Sequence, residues 1–388
     1  MISLIIPSYN NLRHLKNVYA SIQKHAPEAE VILLDDGSTD GTWEWMQEIE
    51  TLPNNKTRII RSEERVGHTI LYDKGIELAT NDIVGILHAD MIIGPSYIEN
   101  LVKHLEPGKV VCATRIEPPL HPPGNEKVIM DFGQDFDTLD IDAFEQFVVN
   151  EQETQLDCVT YGMFAPWVLY KSDFQAIGGH DPLFAPFPYE DSDIFQRWIL
   201  AGYELIQSRD AFVYHLTCRG HRWTEEVGQD DDYFKQVSEK AGRNYLRKWG
   251  CWIKNNEWQY PIILPKYNIA VRVENCSQDL LRLLEPWCDR IYSDAEWMKY
   301  ITLEQPKTTY NLRKRCHSIT DTDRYDYDDI VVEIDGKRFT QQDYNLLENL
   351  SAIIQDSGEI GEFKIGNLKI SIISLTTYEK ELILCEKL

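Results

Sequence analysis

Residues 30–42 read EVILLDDGSTDGT, an apolar run that ends in two aspartates and a glycine turn. Further apolar runs of this kind cover residues 2–6, 58–61 and 83–87. Segments with helical spacing separate or follow the runs, at residues 12–25, 42–50, 69–79 and 95–105. Strands that alternate with helices of this length indicate βαβ units and a largely parallel sheet. We therefore predict an α/β, Rossmann-like domain in the first part of the chain.

Polar residues stand where three of these predicted strands end. Pro7-Ser8-Tyr9-Asn10 follows the first run, Asp35-Asp36 ends the second, and His88-Ala89-Asp90 ends the run at 83–87. Ligands of open α/β sheets bind outside the carboxyl ends of the strands. We expect these side chains to converge on one edge of the sheet, where they would form a ligand site.

The next hundred residues carry a weaker pattern. A Pro- and Gly-rich loop at 118–124 precedes residues 125–155, which are acidic and irregular, and which we expect to lie over the pocket. Regular elements are expected after that: strands at 158–164 and 211–215, and helices at 191–201 and 230–249.

Residues 251–266 indicate a linker, because tryptophans and prolines there interrupt the periodic pattern. We predict a main domain at 1–250 and a second, smaller α+β domain at 267–388, whose role no motif indicates. Its expected elements are strands at 269–273, 330–334 and 368–373 and helices at 278–284 and 341–354.

Charge and composition exclude several classes of protein. The chain has 63 acidic and 39 basic residues, a formal charge of −24, which argues against a nucleic-acid partner. No apolar stretch approaches the ~20 residues of a membrane span. The amino terminus lacks the basic segment and apolar core of a secretory signal, so we expect a cytoplasmic protein. The eight cysteines form no C-x-x-C pair, and we predict neither disulfides nor a zinc site.

The strand-end residues suit a nucleotide and a metal, although each has an ordinary structural explanation. Aspartate and serine cap helices and glycine permits a sharp turn, so the motif at residues 35–42 is as typical of a helix start as of a ligand site, although a helix start explains Ser38 to Asp40 and does not require the two carboxylates Asp35 and Asp36. A carboxylate there could accept a hydrogen bond from a uracil imide or a ribose hydroxyl, and Tyr9 could lie against the base. Asp90 and His215 offer one oxygen and one imidazole, a set that Mn²⁺ accepts. A lone histidine, however, is more often a core residue bonded to a backbone carbonyl.

In their order along the chain, the motifs resemble glycosyltransferase family 2, which comprises inverting enzymes of GT-A fold. The resemblance covers about residues 1–220. It rests on Ile5-Ile6-Pro7-Ser8-Tyr9-Asn10, Asp35-Asp36-Gly37-Ser38-Thr39-Asp40-Gly41-Thr42, His88-Ala89-Asp90, Ile177-Gly178-Gly179-His180-Asp181, Glu190-Asp191-Ser192-Asp193 and Val213-Tyr214-His215. It implies a GT-A domain, the nucleotide-diphospho-sugar transferase fold, at the predicted main domain.

The resemblance also implies a donor site. Pro7, Tyr9 and Asp36 would hold the nucleoside of a nucleoside diphosphate sugar, with a UDP-sugar as the first expectation. His88 and Asp90 would complete the nucleotide-sugar site, since they stand at the family's Asp-x-Asp motif.

By the same resemblance, Asp90 and His215 would bind a divalent metal, Mn²⁺ or Mg²⁺. Asp191 would be the general base that takes the proton from the acceptor hydroxyl as this oxygen attacks the anomeric carbon. Glu190 would orient Asp191 or hydrogen-bond the acceptor, which we expect to be a glycan; a first-turn helix carboxylate is the structural alternative.

Two positions depart from the family's pattern. His88 replaces the first aspartate of Asp-x-Asp, and Asp73-Lys74-Gly75 stands where many relatives carry Arg-Asn before the glycine.

A group of cationic and aromatic residues follows the metal histidine: Arg219, His221, Arg222 and Trp223. These side chains could reach the diphosphate of the donor, or form an ordinary solvated loop.

Other functions stay open at this point. The chain could be a non-catalytic nucleotide-sugar binding module, a sugar transferase acting on a modified nucleic-acid base, or a nucleotidyltransferase. The last is weakened because no Gly-rich phosphate loop occurs early in the chain. Oligomeric state is not indicated.

Overall fold

The computed structural model describes residues 1–53, 55–218, 222–223, 228–321 and 328–385. Two compact units make up the chain: residues 1–238, 255–261 and 384–388 form the first, and residues 239–254 and 262–383 form the second. The domain boundaries predicted from the sequence, at 250 and 267, stay a prediction. No described helix is long and apolar enough to cross a bilayer. The eight cysteines all carry free thiols.

A large mixed sheet forms the centre of the first unit. Its strands are β1 (Ile2–Ser8), β2 (Glu30–Asp35), β3 (Thr57–Arg61), β4 (Ile83–Ile86), β5 (Met91–Ile93), β6 (Lys109–Glu117), β7 (Lys127–Ile129), β8 (Val159–Thr160), β9 (Trp167–Tyr170) and β10 (Glu204–His215). The helices are α1 (Leu12–His25), α2 (Thr42–Glu50), α3 (His68–Leu78), α4 (Tyr97–Val102), α5 (Ile141–Thr154), α6 (Lys171–Ala176) and α7 (Glu190–Leu200). Helix α8 (Asp232–Trp249) begins in the first unit, and its residues from 239 onward belong to the second.

The strand order of this sheet is β3-β2-β1-β4-β9-β6-β10-β5. The pairs β3-β2, β2-β1 and β1-β4 are parallel, as the βαβ pattern predicts, and every residue of β1 and β2 is buried. Such strands are apolar on both faces because helices cover both sides of a parallel sheet. In α1, the buried residues Leu15, Val18, Tyr19 and Ile22 repeat at helical spacing and face this core.

Two predictions for the middle of the first unit are wrong. Residues 125–155 are not irregular throughout, because α5 forms there: Asp140 caps it by accepting the N–H of Ala143 at 3.0 Å, and Phe144 and Val148 bury one face. The strand expected at 158–164 is limited to β8. Beyond it, Met163 donates its N–H to the carbonyl oxygen of Trp258 rather than to a strand.

The second unit contains another mixed sheet. Its strands are β11 (Ile269–Glu274), β12 (Arg290–Ser293), β13 (Cys316–Ser318), β14 (Ile330–Asp335), β15 (Gly361–Ile365) and β16 (Leu368–Ile372), in the order β13-β12-β11-β14-β16-β15. The first four strands run parallel and the last two pair antiparallel, an arrangement the sequence did not predict within the expected α+β domain. Its helices are α9 (Gln278–Leu284), α10 (Trp297–Glu304), α11 (Gln341–Glu348) and α12 (Leu350–Ser357).

Candidate active site

The carboxyl ends of β1, β2 and β4 lie side by side because these strands are parallel neighbours. Ser8 pairs with Asp35 in the register of β1 and β2, and Ile5 pairs with Ile86 in that of β1 and β4. The segments that follow the three strands, which carry the predicted nucleotide residues, therefore start from one edge of the sheet, as expected.

A second feature of this edge is a cluster of three metal-ligand side chains. His88, Asp90 and His215 each place one ligand atom within 4.8 Å of the others. The Nε2 atom of His215 is 3.6 Å from Oδ1 of Asp90. Asp90 and His215 are 3% and 6% exposed. Of these three, the sequence assigned only Asp90 and His215 to the metal, whereas His88 was assigned to the nucleotide sugar.

Strand register explains how residues so distant in sequence meet. Short strand β5 begins immediately after Asp90 and pairs antiparallel with the end of β10, so that Met91 lies opposite His215. The N–H of Leu216 also donates to the carbonyl oxygen of Asp90 at 3.1 Å. The turn between β4 and β5 is thereby held against the end of β10.

The cluster fits a divalent cation. Neighbouring ligands about 2.1 Å from one ion lie roughly 3 Å apart, which is close to the separation of Nε2 in His215 from Oδ1 in Asp90. One carboxylate and two imidazoles form a mixed oxygen and nitrogen set that first-row transition ions accept. Three side chains would also leave coordination positions for phosphate oxygens and water.

The other ring nitrogen of His215 contacts a buried carboxylate. Its Nδ1 atom lies 2.9 Å from Oε1 of Glu117, the last residue of β6. Two cations hold Glu117 in turn: Arg115 Nη1 donates to it at 2.6 Å and Lys127 Nζ at 2.8 Å. Burial raises the pKa of Glu117, but the hydrogen bond from His215 and the charge of Arg115 outweigh burial, so this pKa lies well below the ordinary range.

At the end of β2, Asp36 holds the loop that follows β3. Its Oδ1 accepts the N–H of Val66 at 2.7 Å and its Oδ2 accepts the N–H of Gly67 at 3.0 Å. The N–H of Gly67 also reaches Oδ1 at 3.3 Å, and since a carboxylate oxygen has two lone pairs, Oδ2 is the oxygen that can accept a further bond. Burial raises the pKa of Asp36, although these backbone bonds oppose the rise.

Tyr9 carries a cation on its ring. The guanidinium carbon of Arg65 lies 3.9 Å from the centre of the Tyr9 ring and 4.5 Å from that of Tyr233. Contacts of this kind are favourable for arginine over an aromatic face. A base that stacks on Tyr9 would therefore meet Arg65 as well.

The carboxylate pair of the site begins α7. Glu190 is 7% exposed, and its Oε1 lies 2.6 Å from Nε2 of His68, at the start of α3. Burial lowers the pKa of His68, but the charge and hydrogen bond of Glu190, with the charges of Asp191 and Asp36, together outweigh burial, so the net shift is upward. Burial raises the pKa of Glu190, and the charge and hydrogen bond of His68 act against burial, so the pKa of Glu190 is lowered. Oε2 of Glu190 is buried without a hydrogen-bond partner among the described residues.

The pKa of Asp191 shifts in the direction opposite to that of its neighbour Glu190. Burial, and then repulsion from Glu190, raises the pKa of Asp191 to about 7. The negative charges of Asp191, Glu190 and Asp90 all raise the pKa of buried Tyr72, after the larger effect of burial itself. The carboxylate pair and Asp90 of the metal-ligand cluster therefore both lie near enough to Tyr72 for their charges to act on it.

Close packing at Gly67 positions the segment that precedes α7. Its φ is +90°, and a Cβ atom at this position would overlap the backbone of Pro186. Thr69 Oγ1 donates to the carbonyl oxygen of Pro186 at 3.0 Å. The loop after β3 thus holds the segment that leads into Glu190.

Sequence reasoning missed three residues of this site: Arg65, His68 and Glu117. Of the three, Glu117 had a signal in the sequence, since it is a carboxylate at the end of an apolar run, the strand β6. Asp73, one of the departures from the family's pattern, accepts a hydrogen bond from the N–H of His180 at 3.1 Å. Arg219 and His221 lie outside the described residues, whereas Trp223 donates Nε1–H to Asp230 at 3.2 Å.

Comparison with known proteins identifies the first part of the chain. The sequence model of the family described as Glycosyl transferase family 2 matches residues 3–158. Residues 3–158 are therefore similar to glycosyltransferase family 2. Together with the parallel strands β1 to β4, this similarity confirms the predicted GT-A fold class. The residues of α7 and the end of β10 lie beyond the match.

Curated relatives in family 2 are similar over short stretches. A dolichol-phosphate mannosyltransferase of Pyrococcus furiosus is 28% identical over 113 residues, 29% of this chain and 32% of that protein. A putative teichuronic acid biosynthesis glycosyltransferase, TuaG of Bacillus subtilis, is 31% identical over 91 residues, 23% of this chain and 36% of that protein. The chain thus spans about a third of the length of these relatives.

Two solved structures are also similar. The mannosyltransferase PcManGT from Pyrobaculum calidifontis, in complex with GDP-Man and Mn²⁺, has a TM-score of 0.41 and 20% identity, covering 57% of this chain and 58% of its own. GalNAc-T7, with UDP, GalNAc and Mn²⁺, has a TM-score of 0.47 and 16% identity, covering 64% of this chain and 48% of its own.

Proposed function

We propose that this chain is a metal-dependent inverting glycosyltransferase, which moves a sugar from a nucleoside diphosphate sugar to a hydroxyl group of a glycan or another acceptor. One observation carries the proposal. The first unit holds a metal-ligand cluster of His88, Asp90 and His215 together with Asp191, a carboxylate whose pKa is raised to about 7, and the charges of Asp90 and Asp191 both act on buried Tyr72. Titratable groups perturbed in this way are typical of active sites.

Asp191 is the general base of the proposed reaction. A base works best when its pKa lies near the working pH, because it is then both available and strong enough to take a proton. Asp191 would accept the proton of the acceptor hydroxyl while that oxygen forms a bond to the anomeric carbon and the bond to the diphosphate breaks. Attack from the side opposite the leaving group inverts the anomeric centre, and the released nucleoside diphosphate carries away the negative charge.

Glu190 binds the acceptor in this proposal. His68 keeps its carboxylate ionised, and Oε2 has a buried lone pair that a substrate hydroxyl could satisfy. A buried acceptor atom without a partner costs free energy, which a bound hydroxyl would recover. Glu190 would thus orient the substrate while its negative charge strengthens Asp191 as a base.

Pro7, Tyr9 and Asp36 would hold the nucleoside, with a UDP-sugar as the proposed donor. A bound cation would supply positive charge to the departing diphosphate. Among the candidates for that cation we propose Mn²⁺ over Mg²⁺, because Mg²⁺ requires oxygen ligands, whereas two of the three side chains here offer nitrogen.

Calorimetric titration tests the donor site. UDP, GDP, CDP and dTDP would be titrated into the protein without metal, with Mn²⁺ and with Mg²⁺. We expect UDP to bind in the presence of Mn²⁺, and Asp90→Ala and His215→Ala each to weaken this binding at least tenfold. His104→Ala is the matched control, since His104 lies outside the cluster. Absence of nucleotide binding under every metal condition would refute the proposal.

Stereochemistry tests the reaction itself. Slow hydrolysis of the donor, in which water replaces the acceptor, can be followed by proton NMR. We expect the sugar to appear first with the anomeric configuration opposite to that in the donor, because water also attacks opposite the diphosphate. Release with retained configuration would contradict direct displacement assisted by Asp191.

A further inference from the structure

The contact between Glu117 and His215 has a consequence for metal binding. In a neutral imidazole one nitrogen carries hydrogen and the other offers a lone pair, and an ionised carboxylate only accepts hydrogen bonds. With Glu117 Oε1 2.9 Å from Nδ1, the hydrogen resides on Nδ1. The lone pair is therefore on Nε2, the nitrogen that faces Asp90 at 3.6 Å.

We propose that Glu117 is the positioning residue of the metal site: it fixes the tautomer and the ring orientation of His215 so that Nε2 is presented to the cation. The inference rests on the proposed function, because it needs the cluster of His88, Asp90 and His215 to bind metal. A carboxylate behind a ligating histidine also raises the basicity of the ligand nitrogen.

The surroundings of Glu117 favour its ionised form, which accepts hydrogen bonds and donates none. Its side chain is 1% exposed, and an ionised carboxylate at such a place needs charge partners. Arg115 and Lys127 provide them at 2.6 Å and 2.8 Å. Arg115 also reaches Glu126 at 3.2 Å, which completes a buried network of two cations and two carboxylates.

The fold places Glu117 beside His215 by strand pairing. Strands β6 and β10 run parallel, and Ile116 lies opposite Tyr214, so the residues that follow each are neighbours. The register shifts between Gln207 and Phe212, where residues 208–211 of β10 pair with no residue of β6. Without that bulge, Glu117 would face a different residue of β10.

The test compares two isosteric substitutions in the same buried network. Glu117→Gln removes the carboxylate that contacts His215. Glu126→Gln is the matched control, because Glu126 bonds Arg115 and is 4% exposed but makes no recorded contact with His215. Mn²⁺ affinity would be measured by electron paramagnetic resonance and calorimetry in the presence of UDP. We expect Glu117→Gln to weaken Mn²⁺ binding about 10–100-fold, and Glu126→Gln to leave it within about twofold.

A second readout does not depend on metal. Nitrogen-15 NMR of the imidazole without metal should show His215 with hydrogen on Nδ1 in the wild type and a changed tautomer mixture in Glu117→Gln. If Glu117→Gln fails to fold, Glu117→Asp serves instead, since it keeps the charge for Arg115 and Lys127 but withdraws it from His215.

The outcomes separate the two proposals. Wild-type protein that binds neither UDP nor Mn²⁺ would refute the proposed function. Wild type that binds both, with equal Mn²⁺ affinity and an unchanged His215 tautomer in Glu117→Gln, would overturn the role of Glu117 alone.

Discussion

Asp191 combines two properties that one substitution can separate. An acid whose folded-state pKa lies above its unfolded value stabilises the fold when protonated. For Asp191 this contribution is complete below its ordinary pKa of 3.8 and is lost as the pH rises through about 7. At pH 8 the folded protein therefore carries an unfavourable charge on a half-buried side chain, and the same charge makes the residue a base.

We predict that Asp191→Asn lowers the rate of sugar transfer about 10²–10⁴-fold and raises stability at pH 8 by about 1–3 kcal/mol. Donor turnover and thermal unfolding would measure the two effects. The exposed Asp142→Asn serves as control and should change neither. Lower stability of Asp191→Asn at pH 8 would contradict the unfavourable charge at this site.

The pH dependence of turnover should follow the ionisation of the Asp191 carboxyl group. Its charge is opposed by burial and Glu190 and favoured by His180, His68 and Arg115. The rate should rise with pH and level off above about 7, where the base is ionised. In Glu190→Gln the repulsion is gone, so the midpoint of this rise should move down by about one pH unit. Donor hydrolysis measured from pH 5 to 9 would reveal the shift, and a midpoint that stays in place would show that Glu190 does not set it.

At the scale of elements, the loop between β3 and α3 connects Asp36, at the end of β2, with Glu190, at the start of α7. Asp36 binds it through Val66 and Gly67, and His68 then reaches Glu190 on α7. Two features require a glycine at position 67: its φ is positive, and Pro186 leaves no space for a side chain. The position of α7 therefore depends on a glycine, a residue with no side chain of its own to bind substrate.

We predict that Gly67→Ala destabilises the protein by about 2–4 kcal/mol and abolishes transfer, because the new methyl group must displace Pro186 and with it Glu190. Gly108→Ala is the matched control. It has a φ of +79° but nothing within 4 Å of the added atom, so only backbone strain of about 1 kcal/mol is expected. Thermal unfolding would measure the loss of stability, and donor turnover the loss of activity. Equal losses in the two variants would exclude the close contact with Pro186 as the cause.

At the scale of the whole molecule, the second unit depends on a buried ionic network. Glu285 is completely buried and accepts bonds from Arg247 at 2.7 Å, from Arg315 at 2.7 Å and from the hydroxyl of Tyr300 at 2.8 Å. Burial raises the pKa of Glu285, but Arg315 and Arg247 outweigh burial and lower it to about 2. Removing one member leaves the others buried and uncompensated.

We predict that Glu285→Gln destabilises the second unit by about 3–5 kcal/mol at pH 7. Glu333→Gln, which breaks the exposed pair with Lys369, should cost less than about 1 kcal/mol. Urea unfolding would give both values. Since the pKa of Glu285 is lowered, its contribution is present above the ordinary value of 4.5 and is lost as the pH falls to about 2. The difference between wild type and Glu285→Gln should therefore shrink at low pH.

The sequence by itself determined the parallel order of the first strands, the residues at their carboxyl ends and the similarity of residues 3–158 to glycosyltransferase family 2. These features depend on local patterns: apolar runs, helical spacing and short motifs such as Asp35-Asp36-Gly37. The second unit was less predictable. The helix expected at 341–354 is two helices that meet at Asn349, and the expected α+β domain did not include four parallel strands.

Only the tertiary structure decided how the site is assembled. Asp90 meets His215 because β5 pairs with the end of β10, and Glu117 joins them through the parallel pairing of β6 with β10. His68 reaches Glu190 only because the loop after β3 packs on Pro186. Such contacts depend on strand register and close packing between segments up to 125 positions apart, which the spacing of residues along one segment does not encode.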